Sequence, residues 1–224
     1  MKTSKKTFEH KLINLPPITD EIVEGVGRIY TTPSGDRYPS VTTVISAGSD
    51  NRWLEDWKAR VGEAEVRRIS SQAARRGTAV HELAEEYLKN NKFYRRGHMP
   101  ANVATFSQIR PYLDEHISTI YGLEVPLYSD KLRVAGRVDC IADWDGELAI
   151  VDFKTSKREK RRKDIGGYFT QASAYSYMMF ERTGMLARKI VILMTVDDGG
   201  PLVFEERSKD WIEKFIQIRQ EVKL

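Results

Sequence analysis

Cysteine is all but missing from this chain of 224 residues: Cys140 stands alone. No disulfide can close within the chain, which suits a reducing compartment. A four-cysteine zinc or iron–sulfur site within the chain is excluded as well. Long apolar runs are also missing. None approaches the roughly 20 residues that span a bilayer, so no membrane partner is expected. The first ten residues are basic but carry no apolar stretch, so they do not read as a secretory signal. They contain no arginine, unlike organellar transit peptides. There is no internal repeat and no long low-complexity linker. Neither sign of charge dominates. The net charge is +4 and the pI about 9.0, which permits a polyanionic partner without requiring one.

Hydrophobic residues make up 41% of the chain, enough for a conventional core in one domain without disulfides. Positive charge gathers at Lys157 to Lys163, six basic residues in seven. Such runs are usually solvated loops. This one follows directly on an Asp-Phe-Lys segment, which favours contact with phosphate.

Residues 1–25 read as extended and loosely structured, with Pro16-Pro17. Gly27 to Ser40 reads as a short hairpin about Pro33-Ser34-Gly35-Asp36. Ser40 to Ile45 is either a Ser-capped helix or a strand. Asn51 to Arg60 is helical, with Trp53, Leu54 and Trp57 on one face. Gly62 to Asn90 carries a long helical pattern with Gly77 as a candidate break. Asn102 to Tyr121 is another helix, with Pro111 as a kink or break. Strands follow over Leu123 to Tyr128, Arg133 to Trp144 and Glu147 to Lys154. Ile165 to Thr183 is helical and stopped by Gly184. Lys189 to Val196 is a β-branched strand and Leu202 to Glu205 a short one. Lys209 to Val222 is a closing helix with Trp211, Phe215 and Ile218 on its apolar face. This order predicts an α/β fold, a mixed central β-sheet flanked by helices.

Two aspartates and a lysine in the meander carry the chemistry. They lie in Gly136-Arg137-Val138-Asp139 and Ile150-Val151-Asp152-Phe153-Lys154, on either side of Asp145-Gly146. Asp-Gly is a strong hairpin signal. With that pair as the loop, Trp144 opposes Glu147, Asp139 opposes Asp152, and Arg137 opposes Lys154. Directly opposed Cβ atoms are about 5 Å apart, where like charges repel. Two carboxylates so placed call for a cation, and hard divalent ions take carboxylate oxygens. The competing reading is a solvated turn. The strands are apolar on both faces, however, as buried strands are. Val138, Cys140 and Ala142 would face one way with Phe153, Val151 and Ala149; Ile141, Leu148 and Ile150 would line the carboxylate side. Buried charges there need partners.

Other residues join them in order. Gly77 and His81 lie at i, i+4 in a helical segment, with Glu85 a further turn on. A lone helical histidine is more often structural than a ligand. Glu124 opens a strand, where an ion pair with Arg133 or Arg137 is the ordinary reading. Gln171 and Tyr175 are i, i+4 on the helix after the Asp-Phe-Lys strand, and alone mean little. Taken together, Gly77 to His81, Glu124, Gly136 to Asp139, Asp152 to Lys154, and Gln171 to Tyr175 resemble the RecB-like branch of the PD-(D/E)XK nuclease superfamily. The N-terminal half adds Tyr38-Pro39-Ser40-Val41-Thr42-Thr43-Val44 and Trp57-Lys58-Ala59-Arg60-Val61-Gly62. Those segments resemble phage-encoded exonucleases of this branch, which are similar to the mitochondrial genome maintenance exonucleases.

The resemblance implies a restriction-endonuclease-like core over about residues 75–200. It also implies one nuclease domain over 1–224, with 1–25 as an extension. The metal ligands would be His81, Asp139, Asp152 and the backbone carbonyl of Phe153, with Glu124 as a second-metal or supporting carboxylate. Lys154, with Asp139 and Asp152, would be catalytic. Gln171, Tyr175, Arg76, Thr155 and Arg137 would contact DNA or support the site. The ion would be Mg²⁺ or Mn²⁺, and an iron–sulfur cluster, which some relatives carry on four cysteines, is not expected. The implied activity is metal-dependent exonucleolytic hydrolysis of DNA, single-stranded or at duplex ends, in phage degradation, recombination, replication or repair. The location would be the cytoplasm of a host cell, with the mitochondrial matrix as the alternative. A non-catalytic nucleic-acid-binding protein on the same scaffold and a structure-specific endonuclease are the competing functions.

Overall fold

A computed structural model describes residues 6–50 and 52–223. Its main sheet grows from the central meander. β5 (Ile117–Ser129), β6 (Val134–Trp144) and β7 (Glu147–Ser156) run antiparallel in sequence order. Asp145 and Gly146 turn β6 into β7 with φ of 53° and 77°, the two positive angles that a type I′ hairpin needs. β8 (Lys189–Val196) then joins β7 in parallel, and β9 (Leu202–Arg207) closes that edge antiparallel to β8. The parallel step requires a crossover. α5 (Gly166–Thr183) supplies it, ending at Gly184 with φ of 71°.

Helices cover both faces. On one lie α3 (Glu63–Leu88) and α4 (Pro100–His116), which bury Val80, Leu83, Phe106 and Ile109 against Cys140, Val151 and Phe153. On the other lie α1 (Val41–Ala47), α5 and α6 (Lys209–Glu221), with Phe169, Met178 and Phe215 against Ile141, Ile150 and Ile192. The central strands are therefore apolar on both sides. The fold is the mixed sheet flanked by helices that the element order predicts. α2 (Arg52–Val61) leads into α3; the side chain of Trp53, expected on its apolar face, lies outside the described residues.

Several boundaries differ from expectation. Ser40 caps α1 through a 2.9 Å bond from the Thr43 amide, so the helical alternative is the one formed. α3 runs unbroken through Gly77, because its C-terminal half is pinned to the sheet and one glycine costs only about 1 kcal/mol. α4 passes through Pro111 but ends at His116, and residues 117–121 are strand. Ile117, Thr119 and Ile120 are β-branched and favour that state.

Residues 1–25 are not loosely structured throughout. β1 (Glu9–His10) extends the sheet alongside β5. Phe8 is buried edge-on against Tyr87 with ring centroids 5.7 Å apart. The Asn90 side chain exchanges two 2.9 Å hydrogen bonds with the Phe8 backbone. β2 (Thr19–Val23), β3 (Gly27–Thr31) and β4 (Arg37–Pro39) form a separate antiparallel sheet. The β3–β4 turn is the hairpin expected over Gly27 to Ser40, whereas the contacts of β1 with β5 and of Phe8 with Asn90 join distant segments that local patterning does not reveal.

Candidate active site

The ladder between β6 and β7 runs from Trp144 opposite Glu147 to Cys140 opposite Val151, and stops. Asp139 and Asp152 are the next residues, at the point where the strands part. The Asp139 carboxylate enters the gap, its Oδ2 accepting the Phe153 amide at 2.8 Å. A side chain has taken over a main-chain partner there. The parting also overturns one expectation. Arg137 does not oppose Lys154. It pairs with Pro126 of β5 and donates 3.0 Å to the Glu124 carbonyl, with Asp20 at 3.8 Å. Val138 likewise leaves the face of Cys140 and Ala142 and packs with Ile141 and Ile150.

α3 brings His81 over the gap from the opposite layer. Its Nε2 lies 2.8 Å from the Phe153 carbonyl, and its Nδ1 is 3.5 Å from Asp139 Oδ1. Glu124, held at φ of 50°, completes a cluster. One ligand atom each from His81, Glu124 and Asp139 lies within 4.8 Å of the others. That backbone region costs a non-glycine residue on the order of 1–3 kcal/mol.

Asp152 turns toward α5 instead. Its Oδ1 accepts from Gln171 Nε2 at 3.2 Å, and the same nitrogen reaches the Tyr175 hydroxyl at 3.1 Å. Its Oδ2 is buried against the Lys154 ammonium but accepts no hydrogen bond of ordinary geometry. The ammonium also lies 5.0 Å from the centre of the Tyr168 ring. Gly136 seats Tyr175: a Cβ at that position would come within 2.7 Å of the ring.

The electrostatics follow from burial and pairing. Burial opposes charge on His81, but the hydrogen bond and charge of Asp139 outweigh it and raise its pKa to about 9. Burial likewise opposes charge on Asp139, and His81 holds it below the ordinary carboxylate value. Burial raises Asp152, against the pull of Lys154. Burial, then the Asp139 charge, lifts Glu124 to about 7.

Thr155 lies behind α3, its hydroxyl 3.8 Å from a Cβ built on Gly77. Arg76 is engaged by Asp197 and so is not a free phosphate contact here. Arg137 borders an open cleft of about 670 Å³ that includes His81, Glu124, Glu82 and Glu85. Glu82 and Tyr168 carry no signal in the sequence beyond their spacing from His81 and Gln171.

An imidazole, two or three carboxylates and a backbone carbonyl suit a hard divalent cation, Mn²⁺ tolerating the nitrogen better than Mg²⁺. The ligand atoms of His81, Glu124 and Asp139, gathered within 4.8 Å of one another, agree with that fit. His81, Glu124 and Asp139 could hold such an ion, with Asp152 and the Phe153 carbonyl beside them.

Parted strands, paired carboxylates and a lysine two residues on define a nuclease class. A model of the PD-(D/E)XK nuclease superfamily matches residues 96–217, more than half of the chain, and the chain belongs to that superfamily. A second model, a protein of unknown function (DUF2800), matches residues 43–121. Among particular relatives, the mouse (Mus musculus) mitochondrial genome maintenance exonuclease 1 is 28% identical over 129 residues, 54% of this chain and 38% of that protein. The human (Homo sapiens) protein is 26% identical over the same shares. An ATP-dependent helicase/nuclease of Clostridium botulinum is 26% identical over 107 residues, 48% of this chain and 8% of that protein. The chain thus spans well under half the length of these relatives. A crystal structure of a putative exonuclease from Eubacterium rectale aligns with a TM-score of 0.39 and 13% identity, over 66% of this chain and 69% of that one.

Proposed function

We propose that this protein is a divalent-metal-dependent DNA exonuclease of the RecB-like branch, of phage type, acting in DNA degradation, recombination or repair in a host-cell cytoplasm. The observation that carries this reading is the convergence of His81, Asp139, Asp152 and Lys154 where β6 and β7 separate. The exonuclease relatives support it, and the N-terminal segments that resemble phage exonucleases support the type. Residues 1–224 are taken as one nuclease domain with its catalytic core over about 75–200.

A bound Mg²⁺ or Mn²⁺ supplies charge stabilisation at the phosphate and lowers the pKa of a water. The protein's own groups do the rest. Asp139 and Asp152 fix the negative charge of the site. Gln171 orients Asp152 through its 3.2 Å hydrogen bond and is itself steadied on Tyr175. Lys154 is held by Asp152 and aromatic Tyr168; it orients the attacking water and stabilises charge that develops on the phosphoryl oxygens. His81 anchors the Phe153 carbonyl and Asp139 in one geometry. Arg137 borders the cleft and would meet a phosphate there; Thr155 and, once released from Asp197, Arg76 are the further proposed contacts.

The test is the substrate's topology. With Mg²⁺, linear DNA should yield acid-soluble nucleotides while covalently closed circles resist. Rapid cutting of closed circles would replace the exonuclease with an endonuclease on the same site, and no cleavage of either would favour a binding protein.

A further inference from the structure

A second cavity lies on the far side of α5 from the active site. Gln171 and Tyr175 reach the carboxylates, whereas Ser173, Ser176 and Tyr177 line an outer hollow of about 520 Å³ closed by Leu186 and by Ile212 of α6. That volume lies in the usual range for ligand pockets, about 300–1,000 Å³.

Its chemistry narrows what fits. The two serine hydroxyls that α5 turns into the cavity are already committed. Ser173 donates to the Ser208 carbonyl and Ser176 to the Ala187 carbonyl, each at 2.6 Å. The inner surface thus offers mainly carbon, with Leu186 exposed at 42%. Three cations stand at the rim: Arg188, Arg207 and Lys209. Arg207 is paired with Glu147. Arg188 and Lys209 have no carboxylate partner among the described residues. A nucleobase would bring several hydrogen-bonding edges into a hollow whose α5 serines are already engaged. A sugar would bring still more. An apolar side chain flanked by carboxylates meets both the floor and the rim.

We propose that this cavity docks an acidic segment of a partner protein, which inserts one large apolar side chain beside Leu186, Tyr177 and Ile212 and sets its carboxylates on Arg188 and Lys209. A buried apolar anchor ringed by charge is the usual anatomy of a small hot spot. The site is remote from the cleft, so a docked partner would leave DNA access free and would recruit the nuclease to where its substrate is made.

The experiment uses the full chain and fluorescein-labelled octapeptides, read by fluorescence anisotropy. One peptide holds Phe-Leu among six aspartates and glutamates, a second holds Ala-Ala there, and a third holds Phe-Leu among six lysines. The first should bind saturably. The second and third should bind at least about tenfold more weakly, a difference of about 1.4 kcal/mol. Arg188→Glu and Leu186→Glu, both at exposed positions, should each weaken the first peptide to a similar degree and leave cleavage of naked DNA unchanged. No saturable binding of the first peptide would overturn the proposal, as would binding indifferent to both substitutions. If a single-stranded oligonucleotide displaces the peptide and itself loses affinity with Arg188→Glu, the cavity is a DNA contact and the protein partner is discarded.

Discussion

At the scale of single residues, the site depends on groups that are buried and yet charged. Lys154 is the sharpest case. Its ammonium faces Asp152, and other cations remain to hold DNA, so its removal should fall on turnover. Lys154→Ala should lower single-turnover cleavage by at least roughly 100- to 1000-fold, the usual loss for one strong transition-state contact. Equilibrium binding of DNA in Ca²⁺ should change far less. Equal loss of cleavage and affinity would make Lys154 a binding residue. Proton linkage offers a second check. His81 keeps its proton up to about pH 9 and Glu124 up to about 7. A metal ion must displace those protons, so Mn²⁺ affinity should climb as pH rises from 6 toward 9, with protons released near neutrality. Metal-free stability should move the other way. The His81 contribution is complete below the ordinary value of 6.5 and is lost as pH rises through about 9. Calorimetric Mn²⁺ titrations across this range, with melting curves of the metal-free protein, read both signs. A pH-independent affinity would remove His81 and Glu124 from the ligand set.

Among elements, the N-terminal strand is the part whose weight is least evident from its length. β1 has two residues, but Phe8 before it is buried against Tyr87 and tied twice to Asn90. Phe8→Ala should cost about 3 kcal/mol. That corresponds to a melting temperature lower by roughly 6–12 °C, at about 2–4 °C per kcal/mol for a chain of this size. An unchanged melting curve would mean the segment is a dispensable extension. The same element shows what a sequence conceals. The β6–β7 register is readable because Asp145-Gly146 fixes the turn and strands alternate with a period of two, so the approach of Asp139 to Asp152 could be counted off. Counting fails one step further on. The strands part because the Asp139 carboxylate takes the Phe153 amide, and a side chain competing with a ladder leaves no periodic trace. The contacts of β1 with β5 and of Asn90 with Phe8 bridge distant segments and are equally silent. The positive φ of Glu124, in the midst of an apolar strand, has no propensity signal at all.

For the whole molecule, one sheet joins every part of the candidate site. The meander supplies Glu124, Asp139, Asp152 and Lys154, α3 delivers His81 from one layer, and α5 delivers Gln171 from the other. The two hydrophobic layers fix the distance between those helices, so the geometry is a property of the fold and not of one loop. The most direct measurement is single-turnover degradation of an end-labelled linear DNA by the wild type and by Asp139→Asn, with circular dichroism to show that both are folded. The expected result is cleavage by the wild type in Mg²⁺ or Mn²⁺, none in excess chelator, and none by folded Asp139→Asn under any of these conditions. Full cleavage in chelator, or wild-type rates from Asp139→Asn, would contradict a metal-dependent nuclease site where β6 and β7 part.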